Sequence, residues 1–506
     1  VTLRHLLARV TTMSSWHGED DTVVTAVTHD SRAVVPGTVF VAIRGQRSDG
    51  VNFAEEAVRA GAVAVVAETP APGTVQLSGV PWIQVADARL AQAQLAAALH
   101  GDPGDALTLV GVTGTNGKTT TTYLLAAVFD AAGLPCGRLG TVTVRTGPSP
   151  TDERAASHTT PEASDVQRLL REMVTQGCRA CAMEVSSHAL VLHRVAGLQF
   201  SAAIFTNLTR DHLDFHGDMA SYFEAKARLF TQLRPGAPAI INIDDPRGAE
   251  LAARCETPVT FGVHKSADVR PESVHLSLDG LAFDVTTPTG TIAVRSSLVG
   301  WPNVYNILGV VATAVALDLP FRAIEAGLAN LDGVPGRFQV VSGPTDDVRV
   351  VVDYAHTDDA LKNLLETARP LTHGRLITVF GCGGDRDRSK RSLMGAVAAR
   401  LSDLVVLTSD NPRSEDPARI IDDIKRGLVV PQDPGAPKRA GTPVLVHLDR
   451  RIAIEQAVRA AQPEDVVLVA GKGHEKYQII GDRTVPFDDV DVARAALSRR
   501  RAAPQV

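Results

Sequence analysis

The stretch Gly111-Val112-Thr113-Gly114-Thr115-Asn116-Gly117-Lys118-Thr119-Thr120 constrains this chain more than any other. The apolar run at 107–112 has the length of a buried strand, and the residues after Thr119 carry apolar side chains at helical spacing. A glycine-rich turn between strand and helix aims successive backbone N–H groups at one point, where the helix dipole favours an anion. Lys118 adds a full positive charge, and Thr119 offers a hydroxyl to a magnesium ion held by phosphates. The match to G-x-x-x-x-G-K-S/T is shifted. Val112 stands where the first glycine belongs, with Gly111 one place earlier and Gly114 inside the loop. Gly-Lys-Thr between a strand and a helix favours a phosphate site over an ordinary glycine turn.

A chain of 506 residues predicts two to four domains. With 44% hydrophobic residues but only 4% aromatic, its cores must be built from Ala, Val and Leu. A net charge of −6, without a lysine-rich tail or an aromatic-interleaved basic patch, argues against a nucleic-acid surface. Five scattered cysteines predict reduced thiols in a cytoplasmic protein. Cys178 and Cys181 form a C-x-x-C, but without a second pair they read as packing residues. Residues 1–10 lack the basic flank and apolar core of a signal peptide, and no run reaches about 18 apolar residues, so no membrane insertion is expected. Residues 305–319 read as a buried helix.

Within the first hundred residues, 23–27, 38–43 and 62–67 read as strands and 52–60 as a helix. An alanine-rich helix runs from Asp87 to about His100. Polar loops around Ser31 and at 45–50 are equally compatible with a hydrophilic ligand and with ordinary turns. Gly101-Asp102-Pro103-Gly104-Asp105 breaks the pattern and predicts a domain boundary. The helix from Thr119 should end at Gly133, followed by a polar loop at 143–157, a helix at 165–176 and strands at 180–183 and 202–205. Those strands deliver Glu184-Val185-Ser186-Ser187-His188 and the stretch 207–217 at their carboxyl ends, where doubly wound sheets bind ligands. A magnesium nucleotide needs carboxylate oxygens, which makes Glu184 and Asp211 candidates. His212 and His216 lie four apart without the H-E-x-x-H of a zinc protease. Lys226, within a helical segment, reads on spacing alone as a solvated lysine. A strand at 239–243 precedes antiparallel strands over 259–299, and Asn303 either caps the buried helix or faces a base.

From Arg337 the pattern becomes clean strand–helix alternation. The apolar runs at 349–352, 376–380, 404–407, 444–448 and 466–469 are continuous rather than alternating, which predicts a parallel sheet covered on both faces. Polar clusters follow four of them: Asp353-Tyr354-Ala355-His356, Gly381-Cys382-Gly383-Gly384-Asp385-Arg386, Asp410-Asn411-Pro412-Arg413 and Gly471-Lys472-Gly473-His474-Glu475. Four clusters of mixed charge on one sheet edge suit recognition of a small zwitterion.

Taken together, the shifted loop 113–119, Thr159-Thr160-Pro161, Glu184-Val185-Ser186-Ser187-His188, 207–217, Lys226 with Leu229-Phe230, and the clusters beginning at Asp353 and Gly471 resemble the Mur ligases, ATP-dependent amide-forming enzymes of bacterial cell-wall synthesis. The resemblance covers essentially the whole chain. The loop alone is shared with folylpolyglutamate synthases. The resemblance implies an α/β fold of three domains: a small UDP-binding module (1–105), a central P-loop ATPase-like domain with a mostly parallel sheet (106–335) and a Rossmann-like C-terminal domain (336–506). It further implies a cytoplasmic monomer in peptidoglycan precursor synthesis.

The same resemblance assigns roles. Ser31, Gln46, Arg47 and Ser48 match positions that hold the UDP-sugar, and Thr159, Thr160, Ser186 and Arg194 match those that hold its sugar–peptide part. Leu192 departs from the glutamine often found there. Gly114, Thr115, Asn116, Gly117, Lys118, Thr119 and Thr120 match the ATP loop, with Asn303, Arg337 and Asp353 near the nucleotide. Glu184 and His212 match magnesium-binding positions, displacing Asp211, and Thr119 completes that set. Lys226 matches a lysine that the family carbamylates with CO2, which turns a cation into an anion able to bind a second magnesium.

Asp410-Asn411-Pro412-Arg413 resembles the version of its motif that selects meso-diaminopimelate, whereas lysine-adding relatives carry a different one. The second carboxylate of meso-diaminopimelate suits a bidentate arginine. Arg386 and Arg413 are suitable, with Gly471 and Glu475 receiving the distal ammonium and carboxylate group. The implied reaction joins meso-diaminopimelate to UDP-MurNAc-L-Ala-D-Glu through an acyl phosphate, with hinges near 101–106 and 333–337. The rivals are a lysine-adding or folate-type ligase and a nucleotide-gated binding protein. Arg413 opposes the first. Retention of Lys118, Glu184 and Lys226 opposes the second.

Overall fold

The computed structural model describes residues 1–16, 21–45, 48–72, 79–428 and 442–502. Gln46 and Arg47 lie outside the described residues. The chain divides into two compact units. One comprises 1–272, 285–292 and 305–330; the other comprises 273–284, 293–304 and 331–506.

In the first unit, Thr108–Thr113 forms the expected strand and lies inside an eight-stranded sheet. Its parallel neighbours are Ala180–Glu184 on one side and Ala202–Phe205 on the other. Ala239–Asn242 and Pro258–Phe261 continue the parallel order outward from Ala202–Phe205. Cys136–Leu139 pairs beyond Ala180–Glu184. This brings the carboxyl ends of the three central strands to one edge, the topological position at which such sheets take ligands. Lys118–Ala131 follows the loop, and Gly133 lies just past its end at φ 73°. Ala163–Thr175 buries Val166, Leu169, Leu170 and Met173, one stripe at helical spacing.

Two segments depart from expectation. Residues 143–157, read as a polar loop, contain antiparallel strands Thr143–Arg145 and Glu153–Ala155. Arg138 holds that edge by donating to Thr143 Oγ1 at 2.8 Å and Glu153 Oε1 at 2.5 Å. Pairing made by a polar ladder leaves no apolar alternation to read. Pro258–Phe261 is a parallel edge strand rather than the start of the antiparallel series. That series is the three-stranded sheet of Arg270–Ser277, Gly280–Thr287 and Gly290–Ser296 in sequential order. Short strands at Trp82–Val85 and Cys136–Leu139 carried no periodic signal.

A separate five-stranded sheet forms within the first hundred residues. Val39, Val41, Ala64 and Val66 feed one core, while Phe40, Ala42, Val65 and Ala67 feed the other. Ala88–His100 is capped by Asp87 and closed by Gly101 in the left-handed region. The expected strand at 23–27 is realised as Ala26–Thr28, and the helix at 52–60 begins as a 3-10 turn before Ala54–Arg59.

In the second unit, Arg349–Asp353, Val466–Ala470, Leu376–Phe380, Leu404–Leu407 and Val444–Val446 are parallel neighbours in that spatial order. Gln339–Val340 adds an antiparallel edge. The continuous apolar runs have a direct cause. Val350, Val352, Ile377, Val379, Val467 and Val469 pack under Arg450–Ala460 and Asp489–Ala502, and the alternate residues Val351, Leu376, Phe380, Val466 and Leu468 pack on the opposite face. Both faces are covered, as parallel sheets require.

Candidate active site

The loop conformation is imposed by two glycines. Gly114 sits at φ 150° and Gly117 at φ 89°, and a Cβ at either would collide, with Thr206 Oγ1 and Asn306 Oδ1 respectively. The loop is fastened to the adjacent strand end. Thr115 N–H donates to Asn207 O at 2.9 Å, and Asn116 N–H to Asn207 Oδ1 at 2.9 Å. Lys118 Nζ folds over the loop, donating to Gly114 O and Thr115 O at 2.9 Å each. Thr119 and Thr120 are buried in the first turn of the helix.

Lys226 is not solvated. On Met219–Ala227 it is 2% exposed, donates to Gly114 O at 2.8 Å and sits 4.4 Å from the centre of the Tyr222 ring. Burial, reinforced by the nearby charge of Lys118, holds its pKa well below the usual lysine value. Burial raises Tyr222 to about 12, and its hydroxyl lies 3.2 Å from Thr115 Oγ1.

Glu184 ends its strand 1% exposed. Its carboxylate accepts the Thr141 N–H at 2.8 Å and the Thr141 hydroxyl at 3.0 Å, and that hydroxyl lies 3.0 Å from Thr159 Oγ1. Thr160 Oγ1 donates to Glu184 O at 2.9 Å and accepts the Ser186 N–H at 3.1 Å. Arg194 donates to Thr160 O at 3.0 Å and pairs with Glu162 at 2.5 Å. Thr159, Thr160, Glu184, Ser186 and Arg194 therefore form one connected network beside the phosphate loop.

His212 is exposed, in the left-handed region, with Nε2 3.4 Å from Asp211 Oδ2. Its ring lies edge-on to His188 at 4.9 Å. Among the described residues no three His, Cys, Asp or Glu side chains converge as a ready-made metal cage. The donors present still suit magnesium. That ion keeps waters and takes one or two carboxylates plus substrate phosphates, and Glu184 and the Thr119 hydroxyl are hard oxygen donors near one sheet edge.

Ser31 occupies a 3-10 turn capped by Asp30, and the exposed Ser48 accepts the Gly45 N–H at 2.9 Å. This module meets the Thr159–Arg194 network through Ala88–His100. Gln92 Nε2 lies 3.2 Å from His29 Nδ1 and donates to Ser164 Oγ at 3.1 Å, and Arg89 lies 3.6 Å from Glu162.

The second unit holds Asn303, Arg337 and Asp353. Asn303 is buried and donates to Val299 O at 2.8 Å. The Asp353 carboxylate accepts the N–H groups of Phe338 and Ala355 at 2.7 and 2.8 Å, and burial raises its pKa against the opposing charge of Arg337. The Arg337 guanidinium lies 4.8 Å over the Tyr354 ring, which also contacts His356 and His474 at 4.6 and 4.9 Å.

At the same sheet edge, the loops beginning at Gly381, Asp410 and Gly471 converge. Gly384 N–H donates to Asn411 O at 2.9 Å, and Arg413, at φ 51°, donates to Gly384 O at 2.8 Å. Asn411 donates to Glu475 at 2.9 Å, while a Cβ at Gly471 would stand 3.2 Å from Asp410. Pro412 is buried beside Gly384, and Arg386 is exposed. Three residues to which sequence reasoning gave no individual role belong here. Lys472 is fully buried, Nζ lying 3.1 Å from Asn411, 3.2 Å from Glu475 and 3.5 Å from Asp410. Arg450 and Asp489, both buried, pair at 2.7 Å behind these loops, with Arg450 also donating to Ala470 O at 3.0 Å. A lysine flanked by two glycines at a strand end was a visible signal for Lys472. Nothing local marked Arg450 and Asp489, which lie 39 positions apart.

The chain is similar to known proteins over nearly its whole length. The Mur ligase middle-domain model matches residues 112–314, the Mur ligase glutamate-ligase-domain model 336–473, and the Mur ligase family catalytic-domain model 23–100. A protein of Gloeobacter violaceus named UDP-N-acetylmuramoyl-L-alanyl-D-glutamate–2,6-diaminopimelate ligase is 47% identical over 500 residues, 99% of each chain. A solved structure of a ligase with that name matches at 34% identity with a TM-score of 0.65, covering 94% of this chain and 95% of the other. MurF ligase from Thermotoga maritima, solved in complex with ADP, shares the fold at 20% identity and a TM-score of 0.64, covering 95% and 100%.

Proposed function

The chain belongs to the Mur ligase family, and from that premise we propose that it is the ATP-dependent ligase that adds meso-diaminopimelate to UDP-MurNAc-L-Ala-D-Glu in peptidoglycan precursor synthesis. The observation that carries the reading is the buried Lys226 amine donating to the same Gly114 carbonyl as Lys118. A phosphate loop alone serves many activities, whereas a second, buried lysine beside Lys118 is an amine that CO2 can carbamylate, with the Lys118 charge close enough to offset the anion formed.

In this reading residues 1–105 bind the UDP part through Ser31, Gln46, Arg47 and Ser48. Residues 106–335 carry the ATP loop, with Thr159, Thr160, Ser186 and Arg194 on the sugar–peptide part. Residues 336–506 supply Asn411, Arg413, Arg386, Asp410, Pro412, Gly471 and Glu475 to the amino acid. Asn303, Arg337 and Asp353 serve the nucleotide. Magnesium would be held by Thr119, Glu184, His212 and the carbamate of Lys226, and would neutralise phosphate charge when bound. The neutral Lys226 amine attacks CO2 and loses one proton to give that carbamate.

The D-Glu γ-carboxylate attacks the ATP γ-phosphate in line and ADP leaves, while Lys118 offsets the charge spread over the transferring group. The free amine of diaminopimelate then attacks the acyl carbon, a proton is lost and phosphate departs. Arg413 and Arg386 grip the distal carboxylate, an anionic partner that L-lysine does not offer. The protein acts as a cytoplasmic monomer, and no described helix is long and apolar enough to cross a membrane.

The test is phosphate release from ATP and magnesium with UDP-MurNAc-L-Ala-D-Glu, comparing meso-diaminopimelate with L-lysine. Release and tripeptide formation with diaminopimelate alone is the expected outcome. Turnover with lysine instead refutes the arginine-based selectivity, and silence with both refutes the ligase.

A further inference from the structure

We propose that Lys472 is a positioning residue for amino-acid selection: buried beneath the pocket, it fixes the orientations of Asn411 and Glu475 and sets the charge left for the incoming zwitterion. The inference rests on the diaminopimelate reading above.

An asparagine side chain is nearly symmetric in shape, so its neighbours decide which end is the acceptor. Lysine can only donate. Lys472 Nζ faces Asn411 Oδ1 at 3.1 Å, and the Ile479 N–H points at the same oxygen at 3.0 Å. Two donors on that side force Nδ2 outward, where it meets Glu475 Oε2 at 2.9 Å. Lys472 contacts that same carboxylate oxygen at 3.2 Å, so Glu475 is held from two directions. Asp410 stands 3.5 Å from Nζ on the remaining side, with its backbone oxygen tied to Gln478 at 2.6 Å.

The charges decide what this geometry does. One ammonium faces two carboxylates, leaving a surplus of one negative charge at the pocket floor. That surplus suits the ammonium of an amino acid, while Arg413, on the same loop as Asn411, suits a carboxylate. A buried charge is expensive, and an apolar side chain of similar volume would pack the same space at lower cost. Its three acceptors come from two loops that converge only in the folded sheet. Without Lys472 two largely buried carboxylates face each other unscreened, Asn411 is free to flip, and the site loses the pattern that separates the ends of the substrate.

The experiment compares Lys472→Met with the unaltered full chain, measuring KM separately for meso-diaminopimelate, ATP and UDP-MurNAc-L-Ala-D-Glu. The KM for meso-diaminopimelate should rise at least about tenfold, with the other two changed by less than about twofold. Adding Glu475→Gln to Lys472→Met should raise that KM by less than the product of the single effects, because both act on one carboxylate. Should Lys472→Met fail to fold, Lys472→Arg is scored on the same three constants, since it keeps the charge but changes the donor geometry. An unchanged meso-diaminopimelate KM, an equal rise in all three constants, or a multiplicative double variant overturns the proposal. Lack of turnover by the unaltered chain with meso-diaminopimelate refutes the functional reading itself, and this inference with it.

Discussion

Replacing Glu184 by Gln separates structural from chemical roles because the substitution preserves shape. The carboxylate makes two hydrogen bonds, both to Thr141, from its N–H and its hydroxyl. In Glu184→Gln the carboxamide oxygen can keep the N–H, and the Thr141 hydroxyl can turn to accept from the new NH2. Charged hydrogen bonds contribute roughly 1 kcal/mol more than neutral ones, so two of them limit the stability loss to about 2 kcal/mol. The chemical loss should be larger. Removing one preorganised electrostatic group from a phosphoryl-transfer site costs about 10²–10³ in kcat, or roughly 3–4 kcal/mol. The assay is phosphate release over a magnesium titration, with thermal unfolding on the same sample. Glu184→Gln should need more magnesium and still not recover full kcat, while unfolding shifts only slightly. Asp211→Asn is the control, since Asp211 contacts His212 rather than the strand end, and it should lose less than about tenfold. Activity of Glu184→Gln within tenfold of the unaltered chain at saturating magnesium would refute the assignment of Glu184 over Asp211.

Lys226→Met should abolish turnover. The unaltered protein in 13C-bicarbonate should show a carbamate carbon resonance that Lys226→Met lacks; an identical spectrum for both would remove the carbamate from the mechanism. Asp489→Ala should destabilise the second unit by about 3–5 kcal/mol by stranding a buried guanidinium, while Arg450→Met with Asp489→Leu should recover much of that loss. Chemical denaturation of the full chain, read at the transition of that unit, decides it, and equal losses in both variants would contradict the reading. His474 has its pKa lowered to about 4 by burial, then by Arg337 and His356, and its ring packs on Tyr354. Its folded value lies below the usual histidine value, so the unfolded state binds more protons between about pH 6.5 and 4. Its contribution should be complete above pH 6.5 and lost as pH falls through 4. Unfolding midpoints across that window should flatten in His474→Gln, and an unaltered slope would exclude His474 as the source.

The phosphate loop, the parallel C-terminal sheet and the polar clusters at its edge were legible in the sequence because each depends on local pattern. Gly114 and Gly117 declare a backbone that tolerates no Cβ, and continuous apolar runs declare a sheet covered on both faces. What spacing alone could not rank was Lys226, which only the family resemblance singled out. Its helix reads as solvent-facing by spacing, and only the folded unit places its amine on Gly114 O with nearly all its surface removed from water. Likewise, Thr143–Arg145 and Glu153–Ala155 are strands because Arg138 joins them from a neighbouring strand, a contact with no trace in local periodicity. Lys472, Arg450 and Asp489 gain their roles from groups brought in by distant loops. Residue type and short-range pattern thus determined which chemistry this chain carries. The tertiary structure decided which charges are buried, because desolvation and pairing depend on neighbours that the chain supplies from tens or hundreds of residues away.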